Sequence, residues 1–159
     1  MLETGGVVDV LGVVTVVTVV AIGLMVGVEL AVAVFVNPIF DRLPGEAGLA
    51  ARSDGGRVLG RVMPFWYSGS IVLAAVWVVL AWGGAAVVPV GVATALLVVA
   101  VVVSVTLLVP INDRVKTWSA GDAPADWRAQ VGRWDRLHHG RVALLVVAFA
   151  FVAVGLLVS

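Results

Sequence analysis

The sequence predicts an all-α integral membrane protein, a four-helix bundle, and three observations carry that prediction. Hydrophobic residues make up 62% of the 159-residue chain and the mean hydropathy is +1.14, far outside the soluble range. Several apolar runs exceed 18 residues, long enough to cross a bilayer. All ten Lys and Arg residues lie in two segments, 42–61 and 114–141. The positive-inside rule then puts both long loops in the cytoplasm and both termini outside, in a multi-pass protein of the cell membrane.

The first helix is expected over residues 7–40. Its apolar core, 10–36, is interrupted only by Thr15, Thr18 and Glu29. At 1.5 Å per residue that core is about 40 Å long against roughly 30 Å of hydrocarbon, so the helix must tilt or protrude. The amino terminus is acidic and lacks a basic n-region, which argues for a retained helix over a cleaved signal peptide. Gly23 and Gly27 form a GxxxG continued by Ala31. It suits packing inside the bundle, the commoner use, or a homo-oligomer contact. Asn37-Pro38 is expected to end or kink the helix.

Residues 41–61 read as a polar loop with room for a short amphipathic turn at 46–51. The second helix is expected over 62–82 with Pro64 in its first turn, where a missing N–H is harmless. Gly83 to Ala86 makes a tight hairpin. The third helix covers 87–109 and stops at Pro110. After a loop at 116–121, Asp122 and Pro124 look like a helix start. The fourth helix runs over 125–158, amphipathic at first and wholly apolar from 142. The length is that of one domain. With no Cys, disulfides, thiolate nucleophiles and iron–sulfur clusters are excluded. A net charge of zero argues against a nucleic-acid partner, leaving the lipid bilayer and a lipophilic small molecule.

Glu29 is the one charged side chain inside an apolar helix. A carboxylate there costs about 2.5–3.5 kcal/mol on insertion scales and normally faces the bundle interior with a partner. On the wheel it shares a face with Ile22, Met25, Ala33, Val36 and Phe40. Trp127, Val131, Trp134, His138 and Arg141 recur at i, i+4, i+7, i+11 and i+14, one face of the fourth helix. Arg128, Asp135 and His139 project to the side.

From 142 to 158 that helix measures only about 26 Å, so its buried part must begin near His139. That draws His138 and Arg141 to the interface, where Arg141 needs Glu29 or a lipid phosphate as partner. Two registers are open for Glu29, level with His138 or more than about 10 Å deeper. His138 is a ligand, a base or a structural hydrogen-bonder. Asn112 is a turn cap or a functional amide, and Asn37 could cap the first helix. Trp66, Tyr67 and Trp118 form an interfacial belt or wall a pocket for a flat aromatic. A single iron or copper ion on Glu29 and His138, or no cofactor at all, are both compatible with these residues.

Asn37-Pro38, the run Val109-Pro110-Ile111-Asn112-Asp113, Asp126-Trp127, and Trp134 to Arg141 (WDRLHHGR) occur in order among the four helices. Together they resemble the anthrone oxygenase-like family of small four-helix membrane proteins, many of whose members are described only as a domain of unknown function. The resemblance covers essentially the whole chain. It implies O2-dependent oxidation of an electron-rich phenol or anthrone, with Asn112, Trp134, His138 and Arg141 as the matching site positions. Burial adds Glu29, and the neighbouring aromatics Trp127, Trp66 and Tyr67 add a binding surface. On that expectation Glu29 or His138 deprotonates the substrate and Arg141 or Asn112 stabilises the anion. The alternative is a non-enzymatic membrane protein, a binder, permease subunit or accessory partner, in which Glu29, His138 and Arg141 form a structural ion network. A proton-coupled transporter ranks third, because the outer halves of the first and fourth helices offer almost no polar path.

Overall fold

The computed structural model describes residues 9–44, 46–118 and 121–159. They form four helices long and apolar enough to cross a membrane: α1 (Val10–Asp41), α2 (Ala47–Leu80), α3 (Val87–Val115) and α4 (Trp127–Leu157). No strand occurs among the described residues. Each helix packs against its neighbours in sequence, and α4 closes the ring on α1, most extensively against α3. The α1–α2 and α3–α4 connections therefore lie at one end, with the 81–86 hairpin and the helix termini nearest the chain ends at the other.

Small residues let the backbones approach. Ala74, Ala93, Ala100 and Ala148 are buried at the helix contacts beside Trp77, Leu97 and Leu145, as expected where lipid removes the hydrophobic drive between helices. Gly155 shows the tightest case. A Cβ there would stand 2.5 Å from Val90 Cγ2 and 3.5 Å from Trp77, so α4 needs glycine at that point. Gly23 packs on Phe149 of α4, an intramolecular use of the first GxxxG glycine, while Gly27 has nothing near it. At the hairpin Gly83 takes φ +84°, a conformation that glycine adopts without penalty.

Two helix boundaries differ from expectation. α1 ends at Asp41, as expected, and passes through Asn37-Pro38, but Pro110 does not end α3, which continues to Val115. In both cases a π-helical turn precedes the proline, Val32–Val36 in α1 and Ser104–Leu108 in α3. The Asn37 N–H bonds Val32 O, five residues back. Shifting the hydrogen-bond register in this way accommodates a ring that would otherwise meet the carbonyl four residues earlier. The second difference is α2, which begins at Ala47 rather than near residue 62 and carries Pro64 in its interior. Its buried positions run Leu49, Arg52, Ser53, Met63, Tyr67, Ser70, Ala74 and Trp77, a helical stripe that starts well inside the segment read as a loop.

The extension of α2 brings in a polar clamp. Arg52, 9% exposed, reaches Asp41 of α1 at 2.8 Å and Asp135 of α4 at 2.9 Å. Asn37 Nδ2 donates to the same Asp135 at 2.8 Å, so Asn37 is a buried crosslink and not a helix cap. Ser53 is also buried, against the Lys116 carbonyl.

Four crossings place the loops and the chain termini on opposite sides. Single cysteines at Asp54 and Ser159, both exposed, should react with an impermeant maleimide from opposite faces of sealed vesicles. Labelling of both from one face would contradict the four-crossing arrangement.

Candidate active site

Every helix contributes at least one polar side chain to a single cluster, and α4 contributes two. Glu29 of α1 is 4% exposed and His138 of α4 is fully buried. Arg141 Nη2 lies 2.5 Å from Glu29 Oε2, and its Nη1 donates to Ser104 Oγ of α3 at 2.7 Å. Ser104 spends its own proton on the Ala100 carbonyl at 2.7 Å, which leaves its oxygen free to accept from Arg141. The Tyr67 hydroxyl of α2 donates to Glu29 Oε1 at 2.9 Å. Of the two registers open to Glu29, the structure adopts the one level with His138 and Arg141.

The imidazole sits in a defined frame. Trp134 stacks on His138 with ring centres 4.6 Å apart and planes 24° from parallel. His138 Nδ1 lies 3.0 Å from Arg141 Nη2 and 3.6 Å from Glu29 Oε2. Guanidinium nitrogens only donate, so Nδ1 accepts, and a neutral ring then carries its hydrogen on Nε2. His138 Nε2, Trp134 Nε1 and Arg141 Nε are all buried without a hydrogen-bond partner. By this assignment all three are N–H donors. Leaving a buried donor unpaired typically costs about 1–3 kcal/mol, so three on neighbouring residues of one helix face concentrate an unmet hydrogen-bonding demand beside the ion pair.

A cavity of about 430 Å³ supplies the space. Glu29, Tyr67, Trp134, His138 and Arg141 line one part of it, while Asn112 and Lys116 lie farther along α3. Gly60, Pro64 and Ser68 of α2 face Val105 and Val109 of α3 across it, and all five are exposed. The opening therefore lies between α2 and α3, on the side that faces lipid. Both unusual backbone features border it. Val32 comes from the π-turn of α1, and Ser104, Val105 and Leu108 come from that of α3. Pro64 has no N–H to give the Gly60 carbonyl, which loses its α-helical partner beside the cavity.

Of the residues singled out from the sequence, Glu29, Tyr67, Trp134, His138 and Arg141 come together. Asn112 lines the same cavity two turns beyond Ser104, on the last turns of α3 and not in a loop. Trp66 and Trp127 stand elsewhere because each is used for packing. Trp66 Nε1 donates to the Ala21 carbonyl at 3.0 Å, tying α2 to α1. Trp127 joins a small core with Leu49, Ile111, Val115 and Val131, with the Arg128 guanidinium 4.5 Å from its ring centre. His139 is exposed and bonds only the Asp135 carbonyl. No spacing pattern in the chain marks Ser104 or the bond from Tyr67 to Glu29.

A resident metal ion does not fit this donor set. Glu29 and His138 are two groups only, and no cluster of three or more His, Asp or Glu suited to a metal occurs among the described residues. The carboxylate is already engaged by Arg141 and Tyr67.

A family model described as anthrone oxygenase matches residues 62–151, more than half of the chain. The chain belongs to the anthrone oxygenase family. The matched span holds Tyr67, Ser104, Asn112, Trp134, His138 and Arg141, while Glu29 lies outside it. No curated protein and no solved structure matches the chain. Every member of the cluster except Glu29 therefore lies inside the matched span.

Removing one member of a buried ion pair typically costs about 3–5 kcal/mol. Glu29→Gln and Arg141→Gln should each lower the melting temperature in detergent, and the double variant should lose less than the sum. His138→Ala should also destabilise, whereas His139→Ala should leave melting unchanged. Additive losses, or equal effects of the two histidines, would separate these residues from a common cluster.

Proposed function

We propose that the protein is a membrane-embedded oxygenase that takes an electron-rich lipophilic aromatic, anthrone- or phenol-like, from the bilayer and oxidises it with O2. The observation that carries this reading is the Glu29–Arg141 ion pair beside a cavity open toward lipid, in a chain of the anthrone oxygenase family. Oxidation of an anthrone methylene to a carbonyl consumes one O2, leaves one oxygen atom on carbon and releases the other as water. It balances without an external electron donor.

In this reading Glu29 is the base and Tyr67, bonded to its Oε1, positions or relays the proton. His138 serves as a donor rather than a base, since Nδ1 is taken by Arg141. The substrate anion forms next to Arg141, so negative charge moves from Glu29 to substrate while the guanidinium keeps a counter-ion. Such a carbanion or phenolate reacts with O2 at carbon and takes the proton back from Glu29 as a hydroperoxide. Loss of water from the hydroperoxide gives the quinone. A purely structural ion network gives no reason for a cavity of this size at the cluster, nor for three buried donors without partners.

Purified protein supplied with anthrone under labelled O2 should form anthraquinone carrying one labelled oxygen, faster than the protein-free reaction. Glu29→Gln should lose on the order of 10²–10⁴ in rate, the usual worth of a positioned base. Tyr67→Phe should be slowed less. Turnover by Glu29→Gln at the wild-type rate, or no acceleration by a folded wild type, would refute the oxygenase reading.

A further inference from the structure

The cavity has a second polar end that the chemistry at Glu29 does not use. Lys116 and Asn112 both line it, and both lie against the glycines of α2. A Cβ at Gly60 would stand 3.2 Å from Lys116 Nζ and 3.9 Å from Asn112 Nδ2, and one at Gly56 only 2.6 Å from Asn112 Oδ1. Any larger residue at Gly56 or Gly60 would displace them. Lys116 Nζ gives one hydrogen to Asp113 Oδ1 at 3.0 Å, and two remain. The Asn112 side chain makes no hydrogen bond among the described residues although it is half-buried.

Two helices measure the distance between the ends. On α3, Ser104 holds Arg141, and Asn112 follows eight residues later, about 12 Å along the axis. On α2, Tyr67 holds Glu29, and Gly60 precedes it by seven residues, about 10 Å. Between the ends the walls are Val28, Val32, Met63, Val101, Val105 and Leu108, all apolar. An apolar slot of this length with donors at both ends matches a fused-ring aromatic that carries oxygen at both ends.

We propose that Lys116 and Asn112 select the substrate by binding an oxygen acceptor on its outer ring, remote from the carbon that is oxidised. The inference rests on the oxygenase reading and assigns to these two residues of this chain the recognition of the distal oxygen. Asp113 offsets the charge of Lys116, so the site accommodates a neutral acceptor as well as an anion. Neither residue touches the Glu29 cluster, so both determine specificity without entering the reaction.

The test uses three unreactive planar probes: anthraquinone, 2-hydroxyanthraquinone and anthraquinone-2-carboxylate. Binding to the full chain in detergent is followed by quenching of tryptophan fluorescence, with thermal melting as a check on folding. Lys116→Met and Asn112→Ala should each weaken the substituted probes about tenfold, 1.4 kcal/mol, and leave anthraquinone unchanged. Weakening of the carboxylate alone, or of the hydroxyl alone, identifies which acceptor the site prefers. Equal weakening of all three probes, or of none, would overturn the proposal while leaving the oxygenase reading intact. Failure of the wild type to bind any of the three would overturn the aromatic-substrate reading itself.

Discussion

A carboxylate in the middle of an apolar helix is tolerable only with a partner, and the contact between Glu29 and Arg141 is the constraint to which the rest of the bundle conforms. It sets the relative height of α1 and α4, which in turn sets which residues of α4 face inward. Arg141 stands near the middle of α4 and Glu29 in the second half of α1, so the two helices are set at the heights that bring these positions level. Ser104 and Tyr67 then complete the coordination of the pair from α3 and α2. A buried ion pair stripped of such bonds would be a net cost; each further hydrogen bond offsets part of the desolvation. The Arg52 clamp repeats the logic at the loop end, where one guanidinium joins α1, α2 and α4 through Asp41 and Asp135.

The two π-turns explain how a single face of a helix serves both clusters. Eight residues of ideal α-helix end about 80° away from where they began. A π-turn takes in roughly one residue more than an α-turn, so one of each brings eight residues back to nearly the same face. Glu29 and Asn37 are eight apart across the α1 π-turn, and both are buried. Ser104 and Asn112 are eight apart across the α3 π-turn, and both line the cavity. The prolines that follow each turn favour the irregular register, so the backbone anomaly and the alignment of the polar side chains have one cause.

This is also where the sequence was legible and where it was not. Long apolar runs declare helices, and a lone acid among them declares a buried partner, so four helices, Glu29 and the α4 stripe could be read directly. An ideal wheel for α1 points Val36 and Phe40 inward beside Glu29; the π-turn substitutes Asn37, and no propensity rule announces that substitution. Residues 42–61 read as a loop because glycine, alanine and four arginines dominate them. Gly56 and Gly60 are instead helical and lie against Asn112, and the buried Arg52 pairs with Asp135, 83 residues away. Local composition records neither fact, because both depend on which helix arrives opposite.

Placing the base inside an ion pair also answers a difficulty peculiar to chemistry at membrane depth. An isolated carboxylate in a poorly solvated site would be expensive to keep charged, and a substrate anion formed far from any cation would be equally so. Beside Arg141 neither charge is ever alone. In the proposed reaction the guanidinium faces Glu29 before proton transfer and the substrate oxygen afterwards, and the sum of charge in the cluster does not change. Ser104 holds Arg141 in place for both states. Donors held in place before the charge arrives need no reorganisation when it does, which is the main source of electrostatic catalysis in dry sites. The ion pair that fixes the height of two helices is, on this argument, the same element that makes the anion accessible to O2.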